Sequence, residues 1–147
     1  MSELHNCAVV AVGLRPSPVS QENACIGVIV RCMDTGFFGY RLVQNDENAI
    51  HRIVEFFPRY GQRNLMRTLE WAAHDIEFAI EGERKGRAAF ANLIRPRENV
   101  IRYTPPFVVA TDDPAAELSR QYEALASMPR TPCNELEESK GKIASIE

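Results

Sequence analysis

Three apolar runs open the chain, each closed by residues that turn it. Residues 6–14 (NCAVVAVGL) are apolar and β-branched and stop at the proline and serine cluster of RPSPVSQEN, which predicts a strand followed by a loop. In residues 24–33 the even positions Ala24, Ile26, Val28, Val30 and Cys32 form an unbroken apolar face, and the odd face mixes Cys25, Gly27, Ile29, Arg31 and Met33. A strand this apolar is expected in the middle of a sheet. Asp34, Thr35 and Gly36 supply turn chemistry before FFGYRLV, a third strand that pairs with the second as a hairpin.

The pattern then changes period. Asn45 and Asp46 can cap a helix that carries Ile50, Ile53, Val54 and Phe57 and ends near Pro58. Over residues 64–81, Leu65, Leu69, Ala72, Ala73, Ile76 and Ile80 recur at three and four. Arg63, Arg67, Glu70, His74, Glu77 and Glu81 repeat that spacing on the other side. This amphipathic helix is expected to cover the sheet, with Gly82 as its C-terminal cap and ERKGR as a charged, flexible connection. Residues 87–93 read as a short helical piece, 100–103 as a strand, and 107–110 as another, broken from it by Pro105 and Pro106. Asp113 as N-cap and Pro114 as first helical residue open a last helix whose inward stripe is Leu118, Tyr122 and Leu125.

These elements predict an α+β fold: an antiparallel sheet, made of a meander of three N-terminal strands plus one or two C-terminal strands, packed by helices on one face. Residues 1–126 are expected to form one domain. Residues 127–147, with two prolines, a glycine and no sustained apolar period, are expected to be a flexible tail.

Composition changes the picture little. With 147 residues, 45% hydrophobic and 25% charged, the chain is ordinary globular material. A net charge of -3 gives no whole-protein attraction to nucleic acid or to an anionic membrane. Charge is uneven, however. Arg84, Lys85, Arg87, Arg95, Arg97 and Arg102 face only Glu83 and Glu98 within residues 83–102. The cysteines Cys7, Cys25, Cys32 and Cys133 fit neither zinc spacing nor a dense disulfide framework and are expected to stay reduced. The N-terminus has no basic n-region and no window reaches 18 apolar residues, so no membrane association and a cytoplasmic setting are expected.

The segment ENACIGVIV, together with FANLIRPRENVIRYTPPFVVATDDPAAELSRQYEAL, resembles the uncharacterised bacterial family catalogued as domain of unknown function 3037. The likeness covers the chain up to about Leu125. The family's glutamate falls on Glu22 and its Gly-Val pair on Gly27 and Val28, while Cys25 stands at its asparagine position. Its proline pair falls on Pro105 and Pro106, and its closing Asp-Asp-Pro on Asp112, Asp113 and Pro114. Members are often encoded beside a HipA-like serine/threonine kinase. The resemblance therefore implies a kinase-like protein partner in a toxin, stress or phage-defence module.

Candidate chemistry is sparse, and no cofactor is expected. Glu22 opens a strand, where a carboxylate acts as base or ligand only with a partner, and otherwise fixes the loop through backbone N–H groups. Glu70, His74 and Glu77 share a helix side, a weak candidate for a divalent metal. Cys25 and Cys32, seven apart, are expected on opposite faces of their strand as small buried hydrophobes. Arg87, Arg95, Arg97 and Arg102 are the candidate binding residues, because guanidinium groups bind phosphates or carboxylates bidentately. Only Tyr103 accompanies them as a stacking platform. Phosphate loops, nucleophile elbows and recognisable nucleic-acid motifs are missing from the sequence. The expectation is a non-enzymatic interaction protein, with homo-oligomers open to it. The alternative is a nucleic-acid-binding or nuclease-associated factor using residues 84–102.

Overall fold

The computed structural model of the chain describes residues 3–17, 19, 22–97 and 99–126; the tail expected over 127–147 lies outside the described residues. In chain order the elements are β1 (His5–Leu14), β2 (Ala24–Cys32), β3 (Phe38–Leu42), α1 (Glu47–Phe56), α2 (Gly61–Arg84), α3 (Phe90–Leu93), β4 (Ile101–Tyr103), β5 (Phe107–Thr111) and α4 (Pro114–Ala126).

β1 organises the sheet. It pairs antiparallel with β2 on one edge, and β2 pairs with β3, so the apolar second strand is internal as its composition predicts. β4 and β5 share β1's other edge, β4 against residues 12–14 and β5 against residues 5–9. Between them Thr104 spans the join: its N–H donates to the Ala11 carbonyl at 3.1 Å, and its hydroxyl accepts the Ala11 N–H at 2.9 Å. Pro105 and Pro106, which have no N–H to donate, then interrupt the ladder.

Directly opposed residues of an antiparallel pair share a face. Ile29 opposes Val10 and Tyr40, and Arg31 opposes Phe38. This face meets α2 and α3. The Tyr40 hydroxyl donates to Glu77 Oε1 at 2.6 Å, Arg31 is ion-paired with Glu83, and Phe38 meets Phe90 edge to face at 5.5 Å. Val28 opposes Arg41 on the other face, and Arg41 lies over the Tyr122 ring of α4 at 4.1 Å. The α+β class and the meander hold, but the helices cover both faces rather than one. The inward stripe of α4 is legible in its period, whereas the period does not say which side of the sheet the stripe meets.

The core lies between these layers. Val10, Val12, Leu14, Ile26, Ile29, Leu65, Leu69 and Ile76 are fully buried. Each such side chain contributes about 1.5–3 kcal/mol relative to exposure. The helix ends follow local chemistry. Asp46 caps α1 by accepting the Ala49 N–H at 3.1 Å, and Asp113 caps α4 by accepting the Ala116 N–H at 3.2 Å, both as predicted. The Tyr122 hydroxyl also donates to Asp46 at 2.8 Å, tying α4 to the start of α1. The Ala49 N–H, and then the Tyr122 hydroxyl, hold the Asp46 carboxyl below its ordinary range. Burial, and then the Asp46 carboxylate, push the Tyr122 phenol up to about 12.

Three further expectations are corrected. The first concerns the end of α2, which runs on to Arg84 and is capped by Gly86, at φ 84°, not by Gly82. The Arg87 N–H reaches the Gly82 carbonyl and the Gly86 N–H reaches that of Glu83, the two bonds of a Schellman motif. Gly82 is instead an interior position packed close to Ala89, where an added Cβ would sit 3.1 Å from the Ala89 methyl.

The second concerns strand parity. The register passes from Val12 opposite Gly27 to Gly13 opposite Cys25, so Ile26 is an extra residue, a bulge in β2. The bulge reverses the alternation at the start of the strand. Ala24 therefore leaves the face of Val28 and Val30, and Cys25 joins the side of Cys32 instead of the opposite one. Alternation counted along one strand cannot register a residue that the partner strand skips.

The third concerns the thiols expected to be reduced. Cys7 and Cys32 oppose each other across β1 and β2 with a Cα separation of 4.3 Å, and they are joined as a disulfide. Spacing in sequence does not show this, because an antiparallel register brings together residues 25 apart.

Candidate binding site

The arginines singled out above become a site only when α2 is laid beside the 92–103 segment. β4 places Tyr103 opposite Val12, on the α2 side of the sheet, and the preceding loop carries Arg95, Pro96, Arg97 and Asn99 to the flank of that helix. The result is a cleft of about 230 Å³. Asp75, Phe78 and Ala79 form one wall and Arg95, Arg97, Arg102 and Tyr103 the other, over Leu93 and Ile101.

Two of the guanidiniums are held by backbone oxygens. Arg97 Nη2 donates to the Asn92 carbonyl at 2.6 Å and Arg102 Nε to the Asn99 carbonyl at 3.1 Å. Neither of them, nor Arg95, has a carboxylate in contact among the described residues. Elsewhere Arg31, Arg84 and Arg120 are each paired, with Glu83, Glu81 and Glu117. In the cleft, burial and then the Asp75 carboxylate push the Tyr103 phenol up to about 12, with Arg97 opposing them. Tyr103 thus stays a protonated donor at neutral pH. Asn99 Oδ1 already accepts the Val100 N–H at 2.7 Å, which leaves its amide N–H groups to offer.

A second depression of about 360 Å³ continues along α2. It shares Asp75, Asn99 and Ile101 with the first and adds Thr68, Trp71, His74 and Val100. Trp71 is 62% and Phe78 72% exposed. Seven residues apart on one helix, they lie on the same outer side. Arg67, four residues before Trp71, adjoins them there, and Arg63 begins the row.

The other candidates stay apart from this arrangement. Arg87 is exposed beyond the cap of α2 and Glu22 is exposed ahead of β2; neither lines the cleft. Glu77 is engaged by Tyr40, His74 Nδ1 is 3.9 Å from Asp75, and Glu70 points to solvent. Among the described residues no group of three or more His, Cys, Asp or Glu side chains is arranged to hold a metal ion. For Trp71 and Phe78 the sequence carries only a weak signal, two aromatics that fall outside the inward stripe of their own helix.

The fold and this site define a small α+β domain with a donor-rich cleft beside an exposed aromatic helix face. The chain belongs to the family described as Protein of unknown function (DUF3037), which it matches over residues 9–126, from within β1 to the end of α4. No curated protein and no solved structure matches it. Among the described residues no helix is long and apolar enough to cross a membrane.

Proposed function

We propose that this protein is a non-enzymatic interaction module that docks a partner protein on the outer face of α2. The observation that carries the reading is the pair Trp71 and Phe78, large aromatics set on solvent with Arg67 and Arg63 leading into them. Tryptophan and arginine are the residues that most often dominate binding energy at protein interfaces. The occupant is a protein segment with an aliphatic or aromatic anchor for the depression beside Trp71, preceded by carboxylates that meet Arg63 and Arg67. Those two guanidiniums have no ion pair among the described residues. The family resemblance supplies a candidate, a HipA-like serine/threonine kinase of the kind often encoded beside members of that family, acting in a toxin, stress or phage-defence module.

The cytoplasmic setting belongs to the same proposal. The Cys7–Cys32 bond is the feature that presses against it, since stable disulfides are rare in reducing compartments.

The test is a binding titration between this protein and a purified HipA-like kinase from the same genome. Trp71→Ala and Arg67→Glu should each weaken binding about tenfold or more while thermal stability stays unchanged. Affinity indifferent to both substitutions would overturn the docking face.

One observation favours a second reading, binding of single-stranded nucleic acid. The fold sets Phe78 beside Tyr103 and the cleft arginines, and so supplies a stacking surface that residues 84–102 alone lack. The net charge of -3 and the carboxylate of Asp75 inside the cleft weigh against a polyanion. Oligonucleotide binding that falls steeply with salt and is lost in Arg95→Ala/Arg97→Ala would reverse that judgement.

A further inference from the structure

The polar lining of the 230 Å³ cleft is mostly hydrogen-bond donors, from Arg95, Arg97, Arg102, Asn99 and Tyr103, and the cleft opens beside the proposed docking row, with Phe78 common to both. An arginine carries five N–H groups, and Arg97 and Arg102 each spend one on a backbone carbonyl, which steadies the side chain and leaves the others. Arg95 makes no hydrogen bond or ion pair among the described residues. Asn99 has its amide N–H groups left and Tyr103 its hydroxyl. Converging guanidiniums, with Asp75 the one carboxylate that lines the cleft among the described residues, fit an anion, and guanidinium pairs fit the oxygens of a phosphate in particular.

The rest of the lining does not suit a bare ion. Phe78, Pro96, Leu93 and Ile101 provide apolar surface, which requires an organic body on the anion. The volume falls below the roughly 300 Å³ at which drug-sized sites begin, so that body is small. Asp75 repels a phosphate, yet it is the right group to accept hydrogen bonds from sugar hydroxyls, the role acidic residues take beside ribose in dinucleotide sites. The exposed ring of Phe78 offers a flat surface to a base.

We propose that this cleft binds a nucleoside monophosphate, with Arg95, Arg97 and Arg102 on the phosphate, Asp75 on the ribose hydroxyls and Phe78 against the base. The proposal shares Phe78 with the docking reading but is separable from it at Trp71, which lines the neighbouring depression and not this cleft.

The experiment is calorimetric titration of the full chain with AMP, GMP, CMP and UMP, and with ribose 5-phosphate, adenosine and inorganic phosphate as fragments. At least one nucleoside monophosphate should saturate the protein and bind more tightly than any fragment. Arg95→Ala and Arg97→Ala, both at exposed positions, should weaken it about tenfold or more each and leave adenosine unaffected. Asp75→Asn should weaken the nucleotide and ribose 5-phosphate but not inorganic phosphate. Trp71→Ala should change none of these values. Absence of saturable binding by all four nucleotides would overturn the proposal, as would inorganic phosphate binding as well as they do. Oligonucleotide binding without mononucleotide binding would also overturn it, in favour of the nucleic-acid reading.

Discussion

α2 has two sides that obey the same period and do opposite things. Leu65, Leu69, Ala72 and Ile76 are fully buried against the sheet, whereas Arg67, Trp71 and Phe78 stand in solvent. The inner row reads as structure because burial gives it an obvious purpose. The outer row is uncovered among the described residues, and exposed large aromatics of this kind are the basis of the docking proposal.

The comparison is sharpest at the inner row. Leu69→Ala should cost about 2–5 kcal/mol, read by chemical denaturation, because the site is closed on all sides and a cavity would remain. The end of the helix comes next. Gly86→Ala places a Cβ in the left-handed region and should cost about 1–2 kcal/mol in the same measurement. A pH titration probes the flank between the two rows, where Tyr40 meets Glu77. Burial, followed by that carboxylate, pushes the Tyr40 phenol up to about 12. Its folded pKa therefore exceeds the unfolded value near 10. The sign follows: its contribution is fully present below about pH 10 and is lost as pH rises toward 12. Tyr40→Phe should reduce the alkaline loss, leaving that due to Tyr103 and Tyr122, which are raised similarly. At the outer row, Trp71→Ala should change stability by less than about 0.5 kcal/mol. A loss as large as that of Leu69→Ala would erase the distinction between the rows.

What the sequence disclosed follows the same division. Strands, helices and the caps at Asp46 and Asp113 depend on neighbours within a few residues, and period and capping chemistry expose such neighbours directly. The bulge at Ile26 and the Cys7–Cys32 bond depend on how one strand is set against another, information that no single run contains. The cleft is a stronger case. Arg95, Arg97 and Arg102 were visible as a basic segment, but Asp75 and Phe78 come from a helix some twenty residues earlier, and only the return of β4 to β1 makes them neighbours. Gly82 misled for a local reason: it stood near the expected helix end, but the left-handed turn that demands a glycine came four residues later, at Gly86.

The break at Pro105 and Pro106 has a consequence for how copies of this protein meet. Strands at the rim of a sheet are templates on which a stranger's backbone can polymerise, and Val108, 68% exposed on β5, would make this rim a greasy one. Two successive residues with no hydrogen to offer cut that template into pieces of three and five residues. Fibrous growth along this border is thereby discouraged, and the protein can keep a hydrophobic fringe in water.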